Sequence, residues 1–169
     1  MAANPVLNLV PQIRSTLQMA DPAQFREFLF EKIREFERYA RELRVPPETI
    51  IGARYCLCTL LDESAAQTPW GGSGVWSRHS LLVTFHNETW GGEKFFQLLS
   101  KLAQNPQQYR DLLELMYYCI SLGLEGRFRV VDNGRAQLET LRQRLWTILR
   151  DLGVGSDDNL SPHWQGASG

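Results

Sequence analysis

Apolar side chains recur at helical spacing along most of this 169-residue chain. The clearest stripe runs from Phe25 to Leu43 at intervals of three and four residues, and charged side chains occupy much of the remaining surface. Asp21 and Pro22 precede this stripe as an N-cap and a first helical residue. The same spacing, interrupted at Pro, Gly and Asn, predicts helices over residues 6–17, 22–43, 47–65, 77–85, 91–102, 106–122 and 134–152.

The pattern favours an all-α fold of about seven helices, because no segment reads convincingly as a strand of any length. The predicted helix at 47–65 is apolar on most sides, so we expect it to be central and nearly all buried. Residues 127–131 form at best a short extended segment. Residues 154–169 are rich in Gly, Ser, Asp and Asn and lack periodicity, which predicts a flexible tail after a helical domain of residues 1–153.

Composition excludes several classes of protein. The 18 Lys and Arg residues nearly balance the 19 Asp and Glu residues, and the net charge of −1 argues against nucleic-acid binding. No apolar run approaches the ~18–20 residues of a membrane-spanning helix. Three cysteines, an odd number, do not make a disulfide framework. We therefore expect a soluble domain from a reducing compartment, with its cysteines buried as small apolar residues.

Asp62 and Glu63 are the most informative candidate residues, because they end the most buried predicted helix. Carboxylates at a helix C-terminus oppose the helix dipole, and this local cost suggests a role beyond helix stability, namely a partner-binding charge. Neighbouring helical positions point about 100° apart, so the two side chains do not converge by themselves as a catalytic pair. Replacing both with Ala is expected to weaken partner binding and to leave the helical circular-dichroism signal intact.

The remaining motifs do not build an enzyme signature. His79 and His86, with Glu88 nearby, lack the spacing and the third convergent ligand that a zinc site needs. The glycine pairs in TPWGG and ETWGG lack the Gly-Lys-Ser/Thr of a phosphate loop and are expected to form turns. No acid–His–Ser spacing supports a nucleophilic triad. We therefore predict no metal, no cofactor and no enzymatic activity.

Several longer segments resemble the TssL/DotU family. They are ARYCLCTLLDE at 53–63, TPWG at 68–71, SLLVTFHNETWGGEKFF at 80–96, DLLEL at 111–115 and LGLEG at 122–126. The resemblance implies two small packed helical bundles that form a hook with a cleft. It also implies a C-terminal transmembrane anchor, absent from this chain, that would follow the tail. It further implies a non-enzymatic component of the bacterial type VI secretion membrane complex at the inner membrane, with this domain on the cytoplasmic side.

The resemblance also implies a site. The family's acidic pair in the cleft falls on Asp62 and Glu63, and a second block forms the cleft or contacts partners. The implied partner-binding residues are Asp62, Glu63, His86, Glu88, Trp90, Gly91, Gly92 and Glu93.

The implied partners are TssM-like and TssJ-like membrane-complex proteins and TssK-like and TssE-like baseplate proteins, with self-association chiefly through the missing anchor. Two alternatives stay open at this point. One is a DotU-like adaptor of a type IVB secretion system. The other is a small helical metal-dependent hydrolase using Asp62, Glu63, His86 and Glu88.

Overall fold

The computed structural model describes residues 2–72, 74–88 and 92–153. Its described part is helical throughout and contains no strand, which confirms the all-α fold class. The α-helices, together with one 3₁₀ helix, are α1 (Asn4–Leu7), α2 (Val10–Ser15), α3 (Pro22–Glu42), α4 (Pro47–Ala66), α5 (Val75–Arg78), α6 (Leu81–His86), α7 (Gly92–Leu102), α8 (Arg110–Ser121), the 3₁₀ helix (Gly126–Val130) and α9 (Gly134–Asp151).

All seven predicted helical segments are present, and two of them are divided. The first is split into α1 and α2, where Pro11 stands in the first turn of α2. The fourth is split into α5 and α6, because Ser80 starts a new helix by accepting a hydrogen bond from the Val83 backbone N–H at 3.2 Å. The predicted extended segment at 127–131 is wrong, since most of it belongs to the 3₁₀ helix. The predicted tail at 154–169 lies outside the described residues.

Helix α4 is the element on which the others pack. It contacts α2, α3, α5 and α6 and also α7 and α8, and α7, α8, α9 and the 3₁₀ helix in turn pack on one another. The helices thus form two groups that share α4. Side chains such as Cys56, Leu57, Leu60 and Leu61 are wholly buried along it. The segment is apolar on most sides of its helix, and this pattern correctly predicted its central position.

The cysteines fit this core. Cys56, Cys58 and Cys119 are free and buried, and burial raises the pKa of each thiol above its ordinary value. They act as small apolar side chains in the packing. Among the described residues, no helix is both long and apolar enough to cross a bilayer.

Truncating the centre of α4 should weaken the whole fold. Leu60 is 0% exposed, so Leu60→Ala leaves a cavity and should lower the free energy of unfolding by about 2–5 kcal/mol. Leu17 is 72% exposed, and Leu17→Ala should change it by less than about 0.5 kcal/mol. Urea denaturation of both variants measures the difference, and equal midpoints would contradict the central position of α4.

Candidate functional site

Asp62 joins the end of α4 to the beginning of α6. Its Oδ1 accepts hydrogen bonds from the Trp76 indole N–H at 2.9 Å and from the Leu81 backbone N–H at 3.0 Å, and its Oδ2 accepts from the Leu82 backbone N–H at 2.9 Å. Leu81 and Leu82 open α6, where backbone N–H groups have no acceptor inside the helix. Asp62 and the N-cap Ser80 together satisfy this first turn.

Glu63 makes the corresponding connection to the 3₁₀ helix. Its Oε2 accepts from the Glu125 backbone N–H at 2.8 Å and its Oε1 accepts from the Gly126 backbone N–H at 2.9 Å. Gly126 has a φ of +51°, and a Cβ atom there would stand 2.6 Å from the Gly92 carbonyl oxygen. Glycine is therefore required at the point where Glu63 holds the chain.

These contacts explain how the acids are tolerated at the C-terminal end of α4. Each carboxylate meets the N-terminus of another helical segment, where negative charge is favoured. Burial nevertheless raises the pKa of Asp62 to about 6, against the opposing effect of its hydrogen bonds from Leu82, Trp76 and Leu81. Burial also raises the pKa of Glu63, while the bonds from Glu125 and Gly126 and the nearby guanidinium groups oppose that rise.

The two carboxylates line one cavity, although they hold different helices. This cavity, the acidic cleft, has a volume of about 260 Å³ and lies between α4, the α5–α6 segment and the 3₁₀ helix. Val130 on its wall is 86% exposed. The lining of the cleft includes Asp62, Glu63, Trp76, Arg129 and Val130.

His86 belongs to a different cluster. Its Nε2 accepts from Arg54 Nε at 3.2 Å, and Arg54 Nη1 also pairs with Glu37 Oε2 at 2.7 Å. The imidazole lies edge-on to the Tyr55 ring, with centroids 5.3 Å apart. Burial and the Arg54 charge lower the pKa of His86, so the ring is neutral at neutral pH and accepts the Arg54 N–H.

The other residues of the second block are dispersed. Glu88 pairs with Lys94, and Glu93 is an exposed residue in the first turn of α7. Gly92 is buried and lines the acidic cleft, whereas Trp90 and Gly91 lie outside the described residues. The structure thus brings Asp62, Glu63 and Gly92 together, and it places the His86 and Glu88 side chains elsewhere.

The structure does not bring together the four residues of the hydrolase alternative. His86 contacts Arg54 and Glu88 pairs with Lys94, whereas Asp62 and Glu63 line the acidic cleft. Within the described ranges, no group of three His, Cys, Asp or Glu side chains is placed to hold a metal ion. Sequence reasoning missed Arg129 and Val130 as cleft residues. One feature of the sequence could have pointed to them: two adjacent apolar residues, Val130 and Val131, lie in a polar stretch.

Fold and site define a helical domain with an acidic cleft whose carboxylates are used for internal hydrogen bonds. The sequence model described as "Type VI secretion system protein DotU" matches residues 1–169. The chain therefore belongs to the DotU family of type VI secretion system proteins, which is a family of structural secretion components and not of enzymes.

Two solved structures are similar to it. "Crystal Structure of TssL from Vibrio cholerae" is 38% identical with a TM-score of 0.81, over 89% of this chain and 94% of that one. "Cytoplasmic domain of TssL from Acinetobacter baumannii" is 26% identical with a TM-score of 0.81, over 89% of this chain and 96% of that one. No curated protein sequence matches the chain. These findings confirm the family resemblance and the fold.

Removing either carboxylate should destabilise the domain, which differs from the expectation drawn from the sequence alone. Asp62→Ala leaves the Leu81 and Leu82 backbone N–H groups of α6 without their acceptor, and Glu63→Ala does the same to the Glu125 and Gly126 N–H groups at the 3₁₀ helix. Each should lower the free energy of unfolding by about 1–3 kcal/mol, as measured by urea denaturation. Glu31→Ala, on the exposed surface of α3, is the control. Equal stability of all three variants would show that these bonds contribute nothing.

The pH dependence of stability should carry the signature of Asp62. Its pKa is raised from 3.8 to about 6 in the fold, so the folded protein binds this proton more tightly than the unfolded chain. The stability that comes from binding this proton is therefore fully present below about pH 4 and is lost as the pH rises through about 6. The unfolding free energy of the wild type minus that of Asp62→Asn should therefore be larger at about pH 5 than at about pH 8. A difference that grows with pH would contradict the raised pKa.

Proposed function

We propose that this chain is the cytoplasmic-side docking domain of a type VI secretion membrane complex at the bacterial inner membrane. Its place in a type VI secretion system follows from the family. The docking role is supported by the acidic cleft, in which Val130 presents an exposed apolar side chain beside Arg129. The cytoplasmic placement is supported by the similar structure described as a cytoplasmic domain of TssL.

The cleft suits a protein partner better than a cofactor. Its volume of about 260 Å³ lies below the ~300–1,000 Å³ of ordinary small-molecule sites. That space accommodates one or two side chains of a docked segment. Its walls combine apolar surface, from Trp76 and Val130, with charged groups, and this mixture is typical of protein interfaces.

In this proposal the carboxylates position the cleft rather than form its main contacts. Every oxygen of Asp62 and Glu63 accepts at least one internal N–H at 2.8–3.0 Å. Their negative charge still contributes to the potential of the cleft, which favours a partner segment with a hydrogen-bond donor or a basic group. Val130 and the aliphatic part of the Arg129 side chain would make the direct apolar contacts with the partner.

The partners follow from the family resemblance. Baseplate proteins of the TssK-like and TssE-like types would dock from the cytoplasm, and TssM-like and TssJ-like proteins would join the domain to the membrane complex. Self-association would act chiefly through the membrane anchor that the family resemblance implies. Both similar structures carry the name TssL, which favours the type VI system over a type IVB adaptor.

Charge placed on the cleft rim should reduce partner binding without unfolding the domain. Val130 is highly exposed and makes little contribution to the core, so Val130→Glu should keep the wild-type urea midpoint. It should weaken binding to the TssK-like protein of the same secretion system by about tenfold or more, because it replaces the apolar contact of Val130 with a carboxylate that loses its hydration on docking. Biolayer interferometry with both purified proteins measures the affinity.

Leu17→Glu is the matched control, since it adds the same charge at an exposed apolar residue outside the cleft. Equal loss of binding in the two variants would point to a general charge effect. Full binding by Val130→Glu to TssK-like, TssE-like and TssM-like proteins would rule out the cleft as a docking site.

A further inference from the structure

A second cavity lies at the other end of α4. It has a volume of about 290 Å³ and is enclosed by the N-terminal segment, α3, α4 and α8. Ile50 and Ala53 in the first half of α4 line it, whereas Asp62 and Glu63 in the second half line the acidic cleft. Most of its lining is apolar, including Ala3, Phe36, Ala40, Ile50, Ala53 and Leu115.

One buried carboxylate interrupts this apolar lining. Glu114 is only 9% exposed, and its Oε2 has no hydrogen-bond partner among the described residues. Such a group costs free energy in the folded state unless something compensates it. Burial and the Asp111 charge raise the pKa of Glu114 to about 7, and the N-terminal ammonium and Arg110 only partly oppose that rise. Packing alone does not explain a carboxylate here, because an apolar side chain would serve α8 better.

We propose that this cavity is a binding site for an arginine side chain of a partner protein, with the Glu114 carboxylate as its acceptor. The charge is complementary, since a guanidinium donates to a carboxylate in paired, charge-assisted hydrogen bonds. The apolar walls match the methylene stem that arginine buries along such surfaces. The volume of about 290 Å³ accommodates a single arginine side chain.

The mouth of the cavity supports a protein as the source of that arginine. Leu43 lines the cavity and is 54% exposed, and exposed apolar surface beside a charged anchor is typical of an interface core. The partner segment would therefore place apolar residues on either side of its arginine. This site is independent of docking at the acidic cleft, because the two cavities share no lining residue.

The test uses n-butylguanidinium as a copy of the arginine side chain and n-butylurea as a neutral molecule of the same shape. Titrations of the 169-residue chain are followed by NMR through the methyl signals of Ala53 and Leu115. We expect a dissociation constant of about 1–10 mM for the cation, a range suited to a ligand of this size. Binding of n-butylurea should be at least about tenfold weaker.

Glu114→Gln should reduce n-butylguanidinium binding by about tenfold or more, while Glu31→Gln, an exposed position on α3, should leave it unchanged. Val130→Glu should also leave it unchanged, which separates this site from the cleft. Thr49→Tyr, which narrows the cavity, should weaken binding even if Glu114→Gln folds poorly.

Equal binding of both probes, or no shift of these methyl signals, overturns the proposal. Binding that appears only after acetylation of the N-terminus also overturns it, since Glu114 would then serve the chain's own ammonium group.

Discussion

Two neighbouring carboxylates on the central helix accept the backbone N–H groups that begin two other helical segments. Helix α6 has six residues and the 3₁₀ helix has five, and helices of this length are not stable alone in water. Their placement therefore depends on tertiary contacts, of which Asp62 and Glu63 supply the directional ones. Because both segments form walls of the acidic cleft, the cleft has its shape only while these hydrogen bonds are made.

This constraint changes how the acidic pair bears on function. An exposed carboxylate pair would offer its oxygen atoms directly to a partner, but these oxygen atoms are engaged within the domain. Burial raises the pKa of both side chains, so their charge is maintained against a desolvation cost. In the proposed function the pair holds the cleft open and sets its potential, while Val130 and Arg129 make contact. Loss of either acid would then impair docking through the geometry of the site.

The sequence predicted the parts of the fold that depend on neighbouring residues. The N-cap at Asp21 accepts from the Gln24 backbone N–H at 3.1 Å, and the long helices follow their apolar stripes. The 3₁₀ helix was missed because five residues carry no measurable periodicity. Helix-dipole reasoning drew attention to Asp62 and Glu63, but the backbone N–H groups that they accept lie 19–20 and 62–63 residues away in sequence. Two carboxylates are unfavourable at the C-terminal end of α4, and only the tertiary structure shows that N–H groups at the N-termini of α6 and the 3₁₀ helix compensate them.

Native-state amide hydrogen exchange reports on the individual N–H groups that Asp62 and Glu63 accept. The first-turn amides of Leu82 and Gly126 should exchange slowly in the wild type, unlike most helix-initial amides. Glu63→Ala should accelerate exchange at Gly126 by about tenfold or more and leave Leu82 protected, and Asp62→Ala should do the reverse. Rapid exchange at both amides in the wild type, or no selective change in either variant, would contradict the claim that these carboxylates hold the walls of the cleft.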